Sequence, residues 1–247
     1  MAKKKTKPAV RKTGRTKVKS AKALHAKRFP GESAKYRTAR NALLKAEMQL
    51  RAEGERVAAQ RRKLPLGGVV REDYVFDAPG GGRVRLSELF AEGKNSLIVY
   101  NFMFGPAMKA ACPACTSILD SVDGASPHVT QRANLVVVAR SPIDRIMEHA
   151  RARGWRNLRL LSSSGNTYNR DYFGETESGE QWPMLNVFVK RGGRIHHTYA
   201  TELFFAPKDK GMDPRHVDAI WPVWNLFDYL PEGRGTNWHL RLNYDAE

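Results

Sequence analysis

From Ser33 onward apolar residues recur at alternating three- and four-residue steps. Tyr36, Ala39, Leu43, Ala46, Leu50 and Val57 fall in one register, with Glu53 at its remaining site. That spacing predicts an amphipathic helix of about eight turns, stopped before Pro65 and weakened at Gly54. From Val69 the period changes. Residues 74–76 and 83–85 read as short strands around the turn at 79–82, and Ser87 is a plausible N-cap for a brief helix ending near Gly93. Residues 96–104 (SLIVYNFMF) are nearly all apolar, as in a strand buried on both faces. Further strands are expected at 135–139 and 158–161, with a helix Ile143–Arg153 between them. Strand, helix, strand in succession implies parallel pairing by crossover, hence an α/β domain. Residues 184–190 and Arg194–Ala200, joined by Arg191-Gly192-Gly193, form a β-hairpin, and a last helix is expected from Asp213-Pro214.

Charge then divides the chain. Residues 1–63 hold 21 Lys/Arg against four acids, whereas residues 64–247 hold 21 of each sign. The net +17 therefore belongs to the N-terminal part, and the rest is balanced. Residues 1–28 contain no acid and almost no large apolar side chain, too little to offset the entropy of ordering. The expected organisation is a disordered basic tail (1–31), an amphipathic helix (32–64), and a domain with an aromatic-rich C-terminal extension (65–247). Contacts of the tail with nucleic acid or another polyanion would be electrostatic and unspecific. No run approaches the roughly 18 apolar residues of a membrane span, and the N-terminus lacks the apolar core of a secretory signal. A cytoplasmic protein without membrane contact is expected.

The chain has two cysteines, Cys112 and Cys115, too few for a disulfide scaffold. The pair follows the apolar run 96–104 and opens a predicted helix, whose free amides and positive dipole end stabilise a thiolate. Pro113 suits the first helical turn, where an N–H would have no partner. Cys112 then reads as the exposed nucleophile and Cys115, one turn in, as the resolving thiol. The alternatives are an inert pair or half of a zinc site, completed by His196 and His197. Pro183 stands directly before a strand that otherwise reads as central, a place proline takes when it opens the strand. Lys109, three residues before Cys112, is a candidate for thiolate stabilisation.

A CxxC after an apolar strand, followed by WPMLNVFVKRGGRIHHTY, resembles the thioredoxin superfamily over about residues 74–200. The segments RVRLSELF, LVVVARSPI and LRLLSSSGNTYNRDYFGE resemble its peroxiredoxin-type branch. More closely, the chain resembles a family of predicted dithiol–disulfide oxidoreductases, domain of unknown function 899. The resemblance runs through REDYVFDAPGG, YNFMFGP, ACPACTSILD, NTYNRDY, PMLNVFV and HVDAIWPVWNLFDYLPEGRG, over residues 32–247. It implies a thioredoxin-like fold, a central mixed β-sheet flanked by helices. No cofactor and no metal are expected. The resemblance also implies thiol–disulfide exchange through Cys112 and Cys115 with a protein or small-molecule disulfide and a separate reductant. Trp182 and Pro183 would bind substrate, the bond between them being cis. Two features depart from thioredoxins: Ala111 stands where they carry Trp, and the strand before the motif has no carboxylate. Two other functions compete. A thiol peroxidase fits Cys112-Pro113, although Lys109 replaces the peroxiredoxin threonine. A non-enzymatic module tethered to polyanions by its tail is the third reading.

Overall fold

The computed structural model describes residues 24–244, which divide into one unit through Arg62 and a second from Lys63 onward. In the first, α1 (Ala34–Arg62) begins where Ser33 caps it. The Ser33 hydroxyl accepts the Tyr36 amide (3.1 Å) and its carbonyl accepts the Arg37 amide (3.0 Å), satisfying donors that a helix start leaves free. Arg37, the buried residue of α1, pairs with Glu32 at 2.8 Å. Tyr36, Leu43 and Leu50 are exposed. Most of the basic tail, residues 1–23, lies outside the described residues, and 24–31 are exposed and non-helical.

The second unit is a seven-stranded mixed sheet. In chain order it contains β1 (Val75–Asp77), β2 (Arg83–Arg85), β3 (Ser96–Phe102), α2 (Pro113–Val129), β4 (Asn134–Ala139) and α3 (Ile143–Arg153). There follow β5 (Leu160–Ser162), α4 (Tyr168–Asp171), β6 (Met184–Arg191), β7 (Arg194–Ala200) and α5 (Pro222–Phe227). The strand order is β2-β1-β5-β4-β3-β6-β7. β3, β4 and β5 run parallel through the crossovers α2 and α3, while β6 and β7 add antiparallel on the other side of β3. This is a thioredoxin-like fold, extended at one end by the β1–β2 hairpin.

Period-two alternation sorts the central strands between two cores. Tyr100, Phe102 and Val137 join Cys115, Ile118 and Leu119 of α2 and Ile146 and Ala150 of α3. Leu97, Val99, Val136 and Val138 face the opposite way, against Phe76, Leu86, Tyr168 and Phe188. β3 and β4 are largely apolar because each serves both cores. The outer edge of the sheet at β2 carries exposed Arg83 and Arg85. At the other edge residues 67–70 run along β7, with Val70 N–H on the Ile195 carbonyl and His197 N–H on the Gly68 carbonyl (both 2.9 Å). A Cβ on Gly67 would lie 1.9 Å from the His197 carbonyl oxygen, so only glycine permits that approach.

Two local expectations are corrected, and one short helix was not foreseen. Ser87 does not cap a helix: its N–H and hydroxyl both donate to Asp73, inside a single 3-10 turn (Leu86–Leu89). The last helix does not start at Asp213-Pro214. The Asp213 carboxylate accepts the Arg215 amide and Arg215 takes φ 49°, a left-handed conformation that ends any helix there. The helix starts at Pro222 instead. The helix not foreseen is α4, only four residues long. Among the described residues, no helix is long and apolar enough to cross a membrane.

Candidate active site

β3 ends at Phe102, and the chain loops through residues 103–111 before α2 begins. The Cys112 amide returns to the Met103 carbonyl (3.1 Å), which fixes Cys112 at the N-cap of α2 in an extended conformation with Pro113 after it. Cys112 is half-buried and Cys115 is buried beneath it, 3.9 Å away, both as free thiols. The two sulfurs are driven apart in acidity. The Cys112 pKa is lowered to about 6 by hydrogen bonding from Cys115 and from the amides of Cys115 and Ala114 in the first turn of α2. Cys115 is pushed well above the ordinary thiol range by burial and by the neighbouring Cys112. One thiol is thus ready to act as a nucleophile near neutral pH while its partner stays protonated.

The loop before Cys112 is held by one side chain. Arg145, from α3, donates to the carbonyls of Gly105 (3.2 Å), Pro106 (3.4 Å), Met108 and Lys109 (3.1 Å), and lies 4.4 Å over the Phe104 ring. Lys109, considered above as a thiolate partner, does not feature among the groups that lower Cys112. Arg145→Ala is expected to cost about 1–3 kcal/mol in urea unfolding, since charge-assisted bonds are lost. Arg145→Lys should recover only part of this, because an ammonium cannot spread across several carbonyls as the planar guanidinium does. An alanine variant as stable as the parent would show that the loop stands without it.

The structure places Trp182 and Pro183 at the same end of β3. Met184 opens β6 opposite Asn101, one residue short of the point where the dithiol loop departs. The expected cis bond is absent: no peptide among the described residues is cis, and Trp182–Pro183 is trans. The segment is already tied into the preceding loop. Trp182 N–H donates to the Gly174 carbonyl (2.9 Å), and the indole packs on Phe204 and Phe205. The Pro183 carbonyl accepts His216 Nε2 (3.2 Å). Pro183 opens the strand in the ordinary trans form, and the Trp182 amide is already engaged.

Comparison with known proteins identifies the family. The model described as "Bacterial protein of unknown function (DUF899)" matches residues 26–245. The chain belongs to this family. No curated protein matches its sequence. Among solved structures, it is similar to peroxidoxin BcpB from Mycobacterium tuberculosis, at 17% identity and TM-score 0.44, covering 64% of this chain and 95% of that one. It is also similar to a Xanthomonas campestris peroxiredoxin Q mutant, at 15% identity and TM-score 0.43, covering 65% and 96%. The pneumococcal lipoprotein thioredoxin Etrx1 from Streptococcus pneumoniae gives 14% identity and TM-score 0.38, covering 61% and 98%.

Around the dithiol of this DUF899 protein lie groups that sequence reasoning did not assign. Tyr100, buried in β3, donates its hydroxyl to Cys115 Sγ (3.2 Å). Its signal was present: Tyr100 and Asn101 interrupt the interior of an otherwise apolar run. His149 reaches Thr116 Oγ1 (3.2 Å) from α3, and burial lowers its pKa. Asp120 is taken by Arg153 and by Trp155 Nε1 (2.8 Å). Trp221 packs against the core that holds both cysteines and donates its indole N–H to Ser117 (3.2 Å). Trp224 and Trp238 continue the cluster outward from Trp221. His196 and His197, the ligands of the zinc alternative, sit on β7 bonded to the Gly67 carbonyl and to Asn186. Among the described residues, no three His, Cys, Asp or Glu side chains form a group able to hold a metal.

Proposed function

We propose that the protein is a thiol–disulfide oxidoreductase. The observation that carries this reading is the split pair: a half-exposed Cys112 with a pKa of about 6 at a helix N-terminus, and a buried, protonated Cys115 at 3.9 Å. In this reaction the Cys112 thiolate attacks one sulfur of a substrate disulfide. A Cys112–substrate disulfide forms, and the other substrate sulfur leaves as a thiolate. Cys115 then attacks Cys112 Sγ, closing the internal disulfide and releasing the second substrate thiol. Two electrons pass from protein to substrate, and an external dithiol returns the protein to its reduced form.

The test has two arms. Iodoacetamide alkylation of Cys112 should rise with pH through a midpoint near 6, because deprotonation creates the reactive form, and should be flat above pH 7. With dithiothreitol as reductant, the protein should reduce a small aromatic disulfide catalytically and consume hydrogen peroxide far more slowly. A midpoint at the free-thiol value of about 8.5 would remove the basis for the proposal. Peroxide consumption faster than disulfide reduction would favour the peroxidase alternative.

A further inference from the structure

Cys115 Sγ sits beneath the helix end, and two donors reach it from β3 and the loop after it. One is the Met103 amide; the other is the Tyr100 hydroxyl at 3.2 Å. β3 has no carboxylate with which to take a proton from this sulfur; the tyrosine is what it offers instead. The side chain is fully buried, with Cys115 as its hydrogen-bond partner. Burial raises the Tyr100 pKa well above that of an ordinary phenol, so the hydroxyl keeps its proton throughout the pH range in which the thiols titrate. It can therefore donate at every stage. The result is a line of three groups from the sheet to the surface, Tyr100 O–H to Cys115 Sγ and Cys115 S–H to Cys112 Sγ.

We propose that Tyr100 is a catalytic donor for the second half of the exchange, its hydroxyl stabilising the Cys115 thiolate as that sulfur attacks the Cys112 mixed disulfide. The inference rests on the oxidoreductase reading and names the group that drives its resolving step. The balance is simple. The Cys115 proton passes to solvent and the resulting thiolate forms a bond to Cys112 Sγ; the bond between Cys112 and the substrate sulfur breaks; the departing thiolate takes up a proton from solvent. Tyr100 is neither oxidised nor deprotonated. The requirement for a donor is strongest here because Cys115 is buried, where a forming thiolate has no water to solvate it. The other titratable groups nearby act elsewhere. Cys112 is consumed in the mixed disulfide, His149 faces Thr116, and Asp120 and Arg153 are paired with each other.

The experiment is stopped-flow reaction of the reduced full-length protein with excess 5,5′-dithiobis(2-nitrobenzoate). The first nitrothiobenzoate released reports Cys112, and the second reports resolution by Cys115. In Tyr100→Phe the first phase should change little. The second should slow by roughly tenfold or more at neutral pH, the size of one hydrogen bond to a charged group, and its pH midpoint should rise by about one unit or more. Placing 3-fluorotyrosine at position 100, a more acidic donor of nearly the same shape, should move that midpoint down. This second arm decides the matter even where the phenylalanine variant folds poorly. A purely structural role would slow both phases or lower the melting temperature without moving the midpoint. A second phase with unchanged rate and midpoint in both variants overturns the proposal. Failure of the parent protein to release a second nitrothiobenzoate would instead overturn the oxidoreductase reading on which it rests.

Discussion

Cys112→Ser is expected to abolish disulfide turnover, with a loss of at least about a thousandfold, because a serine hydroxyl is not ionised near neutral pH and cannot replace a thiolate nucleophile. Cys115→Ser should fail differently. Its Cys112 attacks once, releases one equivalent of thiolate, and stays bound to the other half of the substrate. The asymmetry follows from placement, since Cys112 is half-exposed at the helix end while Cys115 is buried behind it. Counting released thiolate and weighing the protein by intact mass spectrometry separates the variants. Cys112→Ser should stay at its unmodified mass, and Cys115→Ser should gain one substrate half that dithiothreitol removes. Equal trapping by both variants would mean that the two sulfurs exchange roles, contrary to the buried position of Cys115.

Gly174→Ala is expected to be strongly destabilising. Its Cβ would lie 2.1 Å from Asn101 Nδ2 and 2.9 Å from Asn101 Cγ, and Asn101 cannot withdraw freely. It is buried in a polar chain across the sheet: Asn186 Nδ2 donates to Asn101 Oδ1 (3.0 Å), and His197 Nε2 donates to Asn186 Oδ1 (2.9 Å). On the other side Asn101 Nδ2 approaches Asn169 Oδ1 (3.4 Å), which also accepts the Ser163 hydroxyl (3.0 Å). Displacing Asn101 leaves buried amides without partners, at about 1–3 kcal/mol each, so a loss of about 3–5 kcal/mol is expected in urea unfolding. Gly165→Ala is the control. Its Cβ would meet nothing within 4 Å, and the change should stay within about 1 kcal/mol. A Gly174→Ala protein as stable as the Gly165→Ala control would show that the loop or the asparagine chain yields easily.

The features carried by periodicity were the ones legible in the sequence. Helix Ile143–Arg153 and strands Arg83–Arg85 and Arg194–Ala200 fall where their patterns put them, because each has one clear face or a glycine turn beside it. The run 96–104 announced a strand buried on both sides, and β3 does serve two cores. Features set by partners distant in the chain were not legible. Pro183 carries the family mark of a cis bond, yet the Gly174 carbonyl and the Phe204–Phe205 pair hold Trp182 with the bond trans. Asp213-Pro214 misled for a local reason instead: it carries the mark of a helix start, but Arg215 in a left-handed conformation overrides it. At the site, the spacing of Cys112 and Cys115 was plain. Arg145 and Tyr100 were hidden because their roles depend on where α3 and β3 bring them, 33 residues after Cys112 and 15 before Cys115.

The strip 67–70 along β7 bears on how the protein behaves when crowded. An edge strand with open backbone donors and acceptors invites a strand from another molecule to add to it. Here the β7 edge is occupied by the chain itself, and the β2 edge is three residues long with an arginine at each end. Addition of a strand at the β7 edge would first require the 67–70 strip to peel away, a local opening far smaller than unfolding of the sheet. The glycine that lets this strip lie so close to His197 thus keeps that edge occupied, and replacing it would open a place for a strand from another molecule to add.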